Sequence, residues 1–218
     1  MKPQHDFVWL ASQSPRRRQL LDQIGAAHQL LLPDADEDAE ALEATRSGEL
    51  PADYVCRVTR AKLDAARLRL LRRGLAAAPV LCADTTVAIG RRILGKPADA
   101  AEATAMLAAL SGRSHRVLST VAVGAGRQSR SLTTTLTMPL TMTLTSITRV
   151  RFARLPAATI DAYVNSGEPF GKAGAYAIQS ALAGWIEQID GSYSGVMGLP
   201  LFETAQLLRR AGVRLALP

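Results

Sequence analysis

At 218 residues, 48% of them hydrophobic, the chain is long enough to bury one large core or two intimate lobes. A mean hydropathy of +0.07, and no apolar run approaching the ~18 residues of a membrane span, argue against insertion in a bilayer. The net charge of +7 raises nucleic-acid binding, but the basic residues are scattered, aromatics make up only 5%, and no RNP, zinc or GxxG module surrounds them, so nucleic acid is not the favoured partner.

Cys56 and Cys82 lack CxxC spacing and read as buried thiols of a reducing compartment. The N-terminus carries charge and Pro3 without a long apolar segment, so no secretory signal is expected and the chain is expected to be cytoplasmic.

In chain order, residues 7–10 have the shape of a buried strand, and Ser12, Gln13 and Ser14 follow. Ser14 suits an N-cap and Pro15 the first helical position, with Arg16, Arg17 and Arg18 in the first turn, apolar Leu20, Leu21 and Ile24, and Gly25 to end the helix. Ser14 as a plain cap and the arginines as a solvated face are the simpler reading of a capped helix alone, but cations there oppose the helix dipole and shift the reading to an anion site. Residues 30–32 suggest a second strand, running into acidic Asp34, Asp36, Glu37 and Asp38. Glu37 and its neighbours either supply a hard oxygen ligand for Mg2+ or form a solvated loop.

Pro51 opens a long helix whose apolar face is expected to carry Tyr54, Val58, Ala61, Ala65 and Leu68, with Lys62 at its border and Gly74 at its end. Residues 80–83 read as a buried strand ending at Asp84, followed by Thr85 and Thr86. A carboxylate there either orients water or binds a metal, or merely caps a turn. Residues 87–89 and 93–94 flank a Gly90-Arg91-Arg92 turn, and Gly95-Lys96-Pro97 forms a constrained loop suited to a phosphate contact. Asp99 and Glu102 resemble a capping box opening a helix to about Leu110.

Residues 117–123 read as strand. The threonine-rich stretch from about 127 to 150 alternates threonine with apolar residues and is expected to form an elongated hairpin arm, with Pro139 at an edge or turn. Residues 150–152 are read as the chain's return, followed by a helix over 156–166. Two glycine-rich loops follow, residues 167–179 with Lys172 and Gln179, and residues 190–200 leading into the last helix. The Gln179 amide offers a paired donor and acceptor suited to a pyrimidine edge. No P-loop, GxSxG elbow or HExxH is present, and His115, on a strand, reads as structural.

The segments Leu10-Ala11-Ser12-Gln13-Ser14-Pro15-Arg16-Arg17, Ala83-Asp84-Thr85, Gly95-Lys96-Pro97, Ser166-Gly167-Glu168-Pro169, Lys172-Ala173-Gly174-Ala175-Tyr176-Ala177-Ile178-Gln179 and Gly198-Leu199-Pro200 occur in the order seen in Maf proteins. Over nearly its whole length the chain resembles a Maf-type nucleoside triphosphate pyrophosphatase. The resemblance implies a single α/β domain of two lobes, elongated on a mixed, bent sheet like that of inosine triphosphate pyrophosphatases, with a nucleotide cleft between the lobes. It implies hydrolysis of a nucleoside triphosphate to monophosphate and pyrophosphate with a divalent cation, Mg2+ or Mn2+, and a homodimer. The Lys-Ala-Gly-Ala-Tyr-Ala-Ile-Gln form is similar to the subgroup acting on dTTP and UTP, including modified pyrimidine nucleotides. By the same resemblance Asp84 matches the proposed general base, and Arg16, Thr85 and Gln179 the positions tied to base selection. Ser12, Ser14, Arg17, Lys62, Lys96 and Lys172 match polar cleft positions, and Glu37 an acidic one suited, with Asp84, to the metal. The alternatives are the same chemistry on 7-methyl-GTP or a purine nucleotide, and a non-enzymatic protein that binds nucleic acid or regulates division.

Overall fold

A computed structural model describes residues 4–34, 37–38, 40–125 and 141–217. In chain order these form β1 (Val8–Leu10), α1 (Pro15–Gln23), β2 (His28–Leu30), a 3-10 turn at Ala41–Glu43, α2 (Pro51–Arg72), β3 (Val80–Ile89), β4 (Arg92–Leu94), α3 (Ala100–Leu110) and β5 (Ser114–Gly124). Then come β6 (Thr141–Phe152), α4 (Ala157–Asn165), β7 (Ile186–Asp190), α5 (Tyr193–Met197) and α6 (Leu201–Arg210). Seven strands among the described residues make one mixed sheet of order β2-β1-β3-β5-β6-β7, with β4 hydrogen-bonded to β3. β1 is parallel to β2 and β3, and the remaining pairs are antiparallel. The fold is therefore α/β, as expected. No helix among the described residues is long and apolar enough to cross a membrane.

The long strand β3 organises the core. Its first half, Val80 to Ala83, packs with β1, α1, α2 and α6, in clusters that include Leu10, Leu21, Leu63 and Leu207. Its second half, from Val87, packs with α3 and α4 through Leu107, Leu110 and Ile160. Between the two lie Asp84, Thr85 and Thr86. The expected break at Asp84 is absent because β5 offers an uninterrupted ladder there, pairing Asp84 with Thr120 and Thr85 with Ser119. A polar step thus sits in mid-strand between apolar clusters.

Three other expectations shift. The buried face of α2 is carried by Tyr54, Val55, Val58, Leu63, Ala66 and Leu70, whereas Leu68 is 63% exposed. The helix is rotated so that Leu63, Ala66 and Leu70 meet Val80 and Cys82. In β6, Ser146 and Thr148 point inward and Ile147 is 52% exposed, so the threonine–apolar alternation runs opposite to a simple core pattern. Residues 150–152 are the end of that same strand. Of the expected arm, residues 127–140 lie outside the described residues. Cys56 is half-buried, Cys82 is buried, and both are unpaired thiols.

The glycine-rich loop of residues 167–179 is fastened to the strands beneath it. His115 is buried with Nε2 2.7 Å from the Tyr176 hydroxyl, and burial pushes its pKa down to about 4. That is the structural role expected of it. The Gly174 N–H donates to Gly95 O at 3.0 Å, joining the Lys172 loop to the Lys96 loop. Gly174 has φ +69°, and a Cβ there would stand 2.8 Å from Val87 Cγ1. Backbone strain and overpacking act together at this position. Gly174→Ala is therefore expected to lower the urea unfolding free energy by about 2–5 kcal/mol, and an unchanged urea midpoint would contradict this packing.

Candidate active site

A cavity of about 980 Å³ lies over the polar middle of β3. Ser12, Ser14, Arg16 and Arg17 enter it from the loop after β1 and the start of α1. Lys62 comes from α2, Asp84 and Thr85 from β3, Lys96 from the loop after β4, and Lys172 and Gln179 from the glycine-rich loop. Every side chain nominated from the sequence, Glu37 included, lines this one cavity. The volume is ample for a small organic ligand.

Its floor is a chain of ion pairs. Lys62 Nζ donates to Asp84 Oδ1 at 2.6 Å and to Glu43 Oε1 at 2.7 Å, and Lys96 Nζ donates to Glu43 Oε2 at 2.7 Å. Burial alone would lower the Lys62 pKa, but the Asp84 and Glu43 carboxylates outweigh it and raise it. Burial likewise works against an ionised Glu43, and Lys62 and Lys96 reverse the sign and lower its pKa. Both groups are charged at neutral pH.

The opposite wall starts at α1. Ser14 occupies the N-cap position with extended backbone, and Pro15 is the first helical residue, but the Ser14 side chain makes no capping bond. Its own N–H instead donates to Ser12 Oγ at 3.2 Å, and Arg17 donates to the same hydroxyl at 3.2 Å and to Gly198 O at 2.8 Å. Arg17 is thus aimed across the cleft and held, while Arg18 faces solvent. Burial lowers the Arg17 pKa from its usual value, partly offset by Asp84. Thr85 Oγ1 lies 2.8 Å from Ser119 Oγ, and Ser119 donates its only hydroxyl proton to Gly195 O at 2.6 Å. Proton accounting then makes Thr85 the donor to Ser119, so Thr85 presents only an acceptor to the cavity. Lys172 donates to Glu168 O, and its pKa is lowered by burial and by neighbouring Arg16.

Comparison with known proteins places the chain in a family. The family model described as Maf-like protein matches residues 7–211. The chain belongs to the Maf family. Its relatives include proteins named dTTP/UTP pyrophosphatase from Polaromonas sp. (strain JS666), 59% identical over 98% of this chain and 100% of its own length, and from Burkholderia pseudomallei (strain K96243), 59% identical over 97% and 96%. The protein of that name from Albidiferax ferrireducens is 56% identical over 96% and 98%. A solved nucleoside-triphosphatase / dITP/XTP pyrophosphatase from Mycobacterium abscessus aligns with 68% of this chain and 75% of its own at 15% identity and a TM-score of 0.37, too slight a likeness to argue from.

In this Maf protein Glu37 is paired with arginines rather than with the Lys62 that holds Asp84. Arg69 donates to it through Nε at 3.0 Å and through a second nitrogen, and Arg72 also binds it. Arg69 is itself only 4% exposed and donates to Leu31 O at 2.9 Å. The scattered arginines are therefore not all solvated: this buried one needs a carboxylate partner, and the half-buried Glu37 serves it. The carboxylate that joins Asp84 is Glu43, which no motif marks. Its only sequence signal is its place just before α2, from which Tyr54 donates its hydroxyl to Glu43 O at 2.8 Å.

Among the described residues no three His, Cys, Asp or Glu converge as a metal site. Two carboxylates, Asp84 and Glu43, do converge on one ammonium. That donor set fits a hard divalent cation that completes its shell with phosphate oxygens and water.

The Arg69 clamp has a consequence for acid stability. The Arg69 hydrogen bond holds the Glu37 pKa at about 2, down from 4.5. A depressed carboxylate contributes stability above its unfolded pKa and loses it as pH falls through the folded one. The stability deficit of Glu37→Gln relative to wild type should thus be full at neutral pH and shrink as pH drops from about 4.5 towards about 2. Urea midpoints at several pH values measure it, and a deficit of constant size would contradict the clamp.

Proposed function

We propose that this chain hydrolyses dTTP and UTP to the nucleoside monophosphate and pyrophosphate. The observation that carries the reading is the cavity itself, where Asp84 is bonded to Lys62, Lys62 and Lys96 share Glu43, and Arg17 lines the same space, so a carboxylate and three cations open on one cleft. The names of its relatives point to the same nucleotides. The anionic tail rests against the N-terminus of α1, Arg17, Lys62 and Lys96, where helix N–H groups and ammonium charge favour phosphate. Lys62 orients the Asp84 carboxylate through Oδ1. Asp84 then aligns a water with its other oxygen and takes its proton as the oxygen attacks the α-phosphorus in line. A Mg2+ or Mn2+ ion held by Asp84 and Glu43 would supply charge neutralisation on the leaving pyrophosphate.

Base selection falls to Gln179, Arg16 and the acceptor-only Thr85 hydroxyl, which line the same cavity. The Gln179 amide pairs a donor with an acceptor and so matches the N3–H and a carbonyl of uracil or thymine. Cytosine reverses that pattern, and a mismatch leaves polar groups unpaired.

Asp84→Asn is expected to cut pyrophosphate release by about a hundredfold or more while thermal melting shows a folded protein. Near-normal turnover by folded mutant protein would sink the assignment. Gln179→Ala should reduce the UTP-over-CTP ratio of kcat/KM by about tenfold while changing triphosphate affinity far less. An equal loss on every nucleotide would remove Gln179 from base reading.

A further inference from the structure

The Glu43 carboxylate bonds one ammonium with each of its oxygens, Lys62 at 2.7 Å through Oε1 and Lys96 at 2.7 Å through Oε2. Two non-bridging oxygens of a phosphate make the same pattern of contacts. We propose that Glu43 is a specificity-determining gate that occupies the phosphate seat of the free protein, so that an anion binds there only by displacing it. The proposal rests on the reading of Lys62 and Lys96 as phosphate ligands.

The side chain is built to leave without disturbing the fold. The backbone around it is held independently, by Tyr54 donating to Glu43 O at 2.8 Å and by Arg57 donating to Ala44 O at 2.9 Å. Arg57 also grips Glu49 at 2.6 and 2.8 Å, which anchors the following residues to α2. Lys62 keeps Asp84 as a partner when Glu43 departs. The Glu43 side chain is 26% exposed and that of Lys96 43%, so water solvates both as they separate. An ion pair this accessible is weak enough to exchange, yet it holds a full negative charge where phosphate oxygens must sit.

The gate penalises small free anions most. Inorganic phosphate or pyrophosphate without metal must break both contacts and then share the seat with a displaced carboxylate of like charge. A metal-bound triphosphate brings a cation for that carboxylate and further contacts at Arg17 and along the nucleoside. The apparent affinity of any ligand is reduced by the fraction of molecules in which its seat is open.

The test is calorimetric titration of metal-free pyrophosphate into the full-length protein and its Glu43→Gln, Glu43→Asp and Glu40→Gln variants, with thermal melts to verify folding. Glu40 lines the same cavity and is exposed, so its substitution removes the same charge without touching either lysine. Glu43→Gln should bind pyrophosphate about tenfold tighter than wild type, Glu43→Asp should gain part of that because its shorter arm cannot span both lysines, and Glu40→Gln should change by about twofold or less. If Glu43→Gln does not fold, the Glu43→Asp gain decides. Equal affinity in wild type and both Glu43 variants overturns the gate and leaves the pyrophosphatase reading standing. An equal gain in Glu40→Gln also overturns it, because net charge alone then explains the effect. Pyrophosphate binding to none of the four overturns the gate together with the assignment of Lys62 and Lys96 to phosphate.

Discussion

One ammonium holds the centre of this molecule together. Lys62 Nζ stands 2.6 Å from Asp84 and 2.7 Å from Glu43, and so joins α2, the middle of β3 and the 3-10 turn before α2 at a single point. Asp84 is 8% exposed, in a strand whose neighbours on either side are apolar core. A carboxylate so placed needs a partner, and removing one member of such a pair leaves a stranded charge costing about 3–5 kcal/mol. The rotation of α2 follows from this requirement as much as from its apolar residues, since the face that buries Leu63 and Ala66 also carries Lys62 to Asp84. Structure and chemistry thus constrain the same residue.

The rest of the cleft is arranged around that point by loops tied to one another. Arg17 reaches across to Gly198, Ser119 links Thr85 to Gly195, and Gly174 docks on Gly95. The first tie fixes Gly198 to α1, the second fixes α5 to β5, and the third joins the Lys172 loop to the Lys96 loop. Outside the Glu43 side chain, the walls of the cleft are therefore held by contacts that do not depend on a ligand.

Much of this was legible in the sequence, for identifiable reasons. Pro15 and Pro51 mark helix starts because their missing N–H is harmless there, and Asp99 caps α3 through the Glu102 N–H at 2.8 Å while Glu102 accepts from Ala98 N rather than closing the full box. Asp84, Lys96 and Gln179 stand out because they interrupt apolar or glycine-rich runs. Residues whose placement depends on long-range pairing were not legible. Whether β3 breaks at Asp84 is decided by Ser119 and Thr120 on β5, more than thirty residues away. Which acidic side chain meets Lys62 is decided by Arg69, a buried cation that takes Glu37 for itself. Local pattern contains neither fact. The inward turn of Ser146 and Thr148 in β6 is of the same kind, since Thr148 is consumed by the Ser192 N–H at 2.9 Å.

On the proposed mechanism this cleft directs water to the α-phosphorus, between the nucleoside and the two phosphates that leave together. Hydrolysis of UTP in H2-18O, followed by mass spectrometry of the products, tests it most directly. Attack at the α-phosphorus requires one 18O atom in the nucleoside monophosphate and none in the pyrophosphate. Label in pyrophosphate, or release of orthophosphate with UDP, would contradict it.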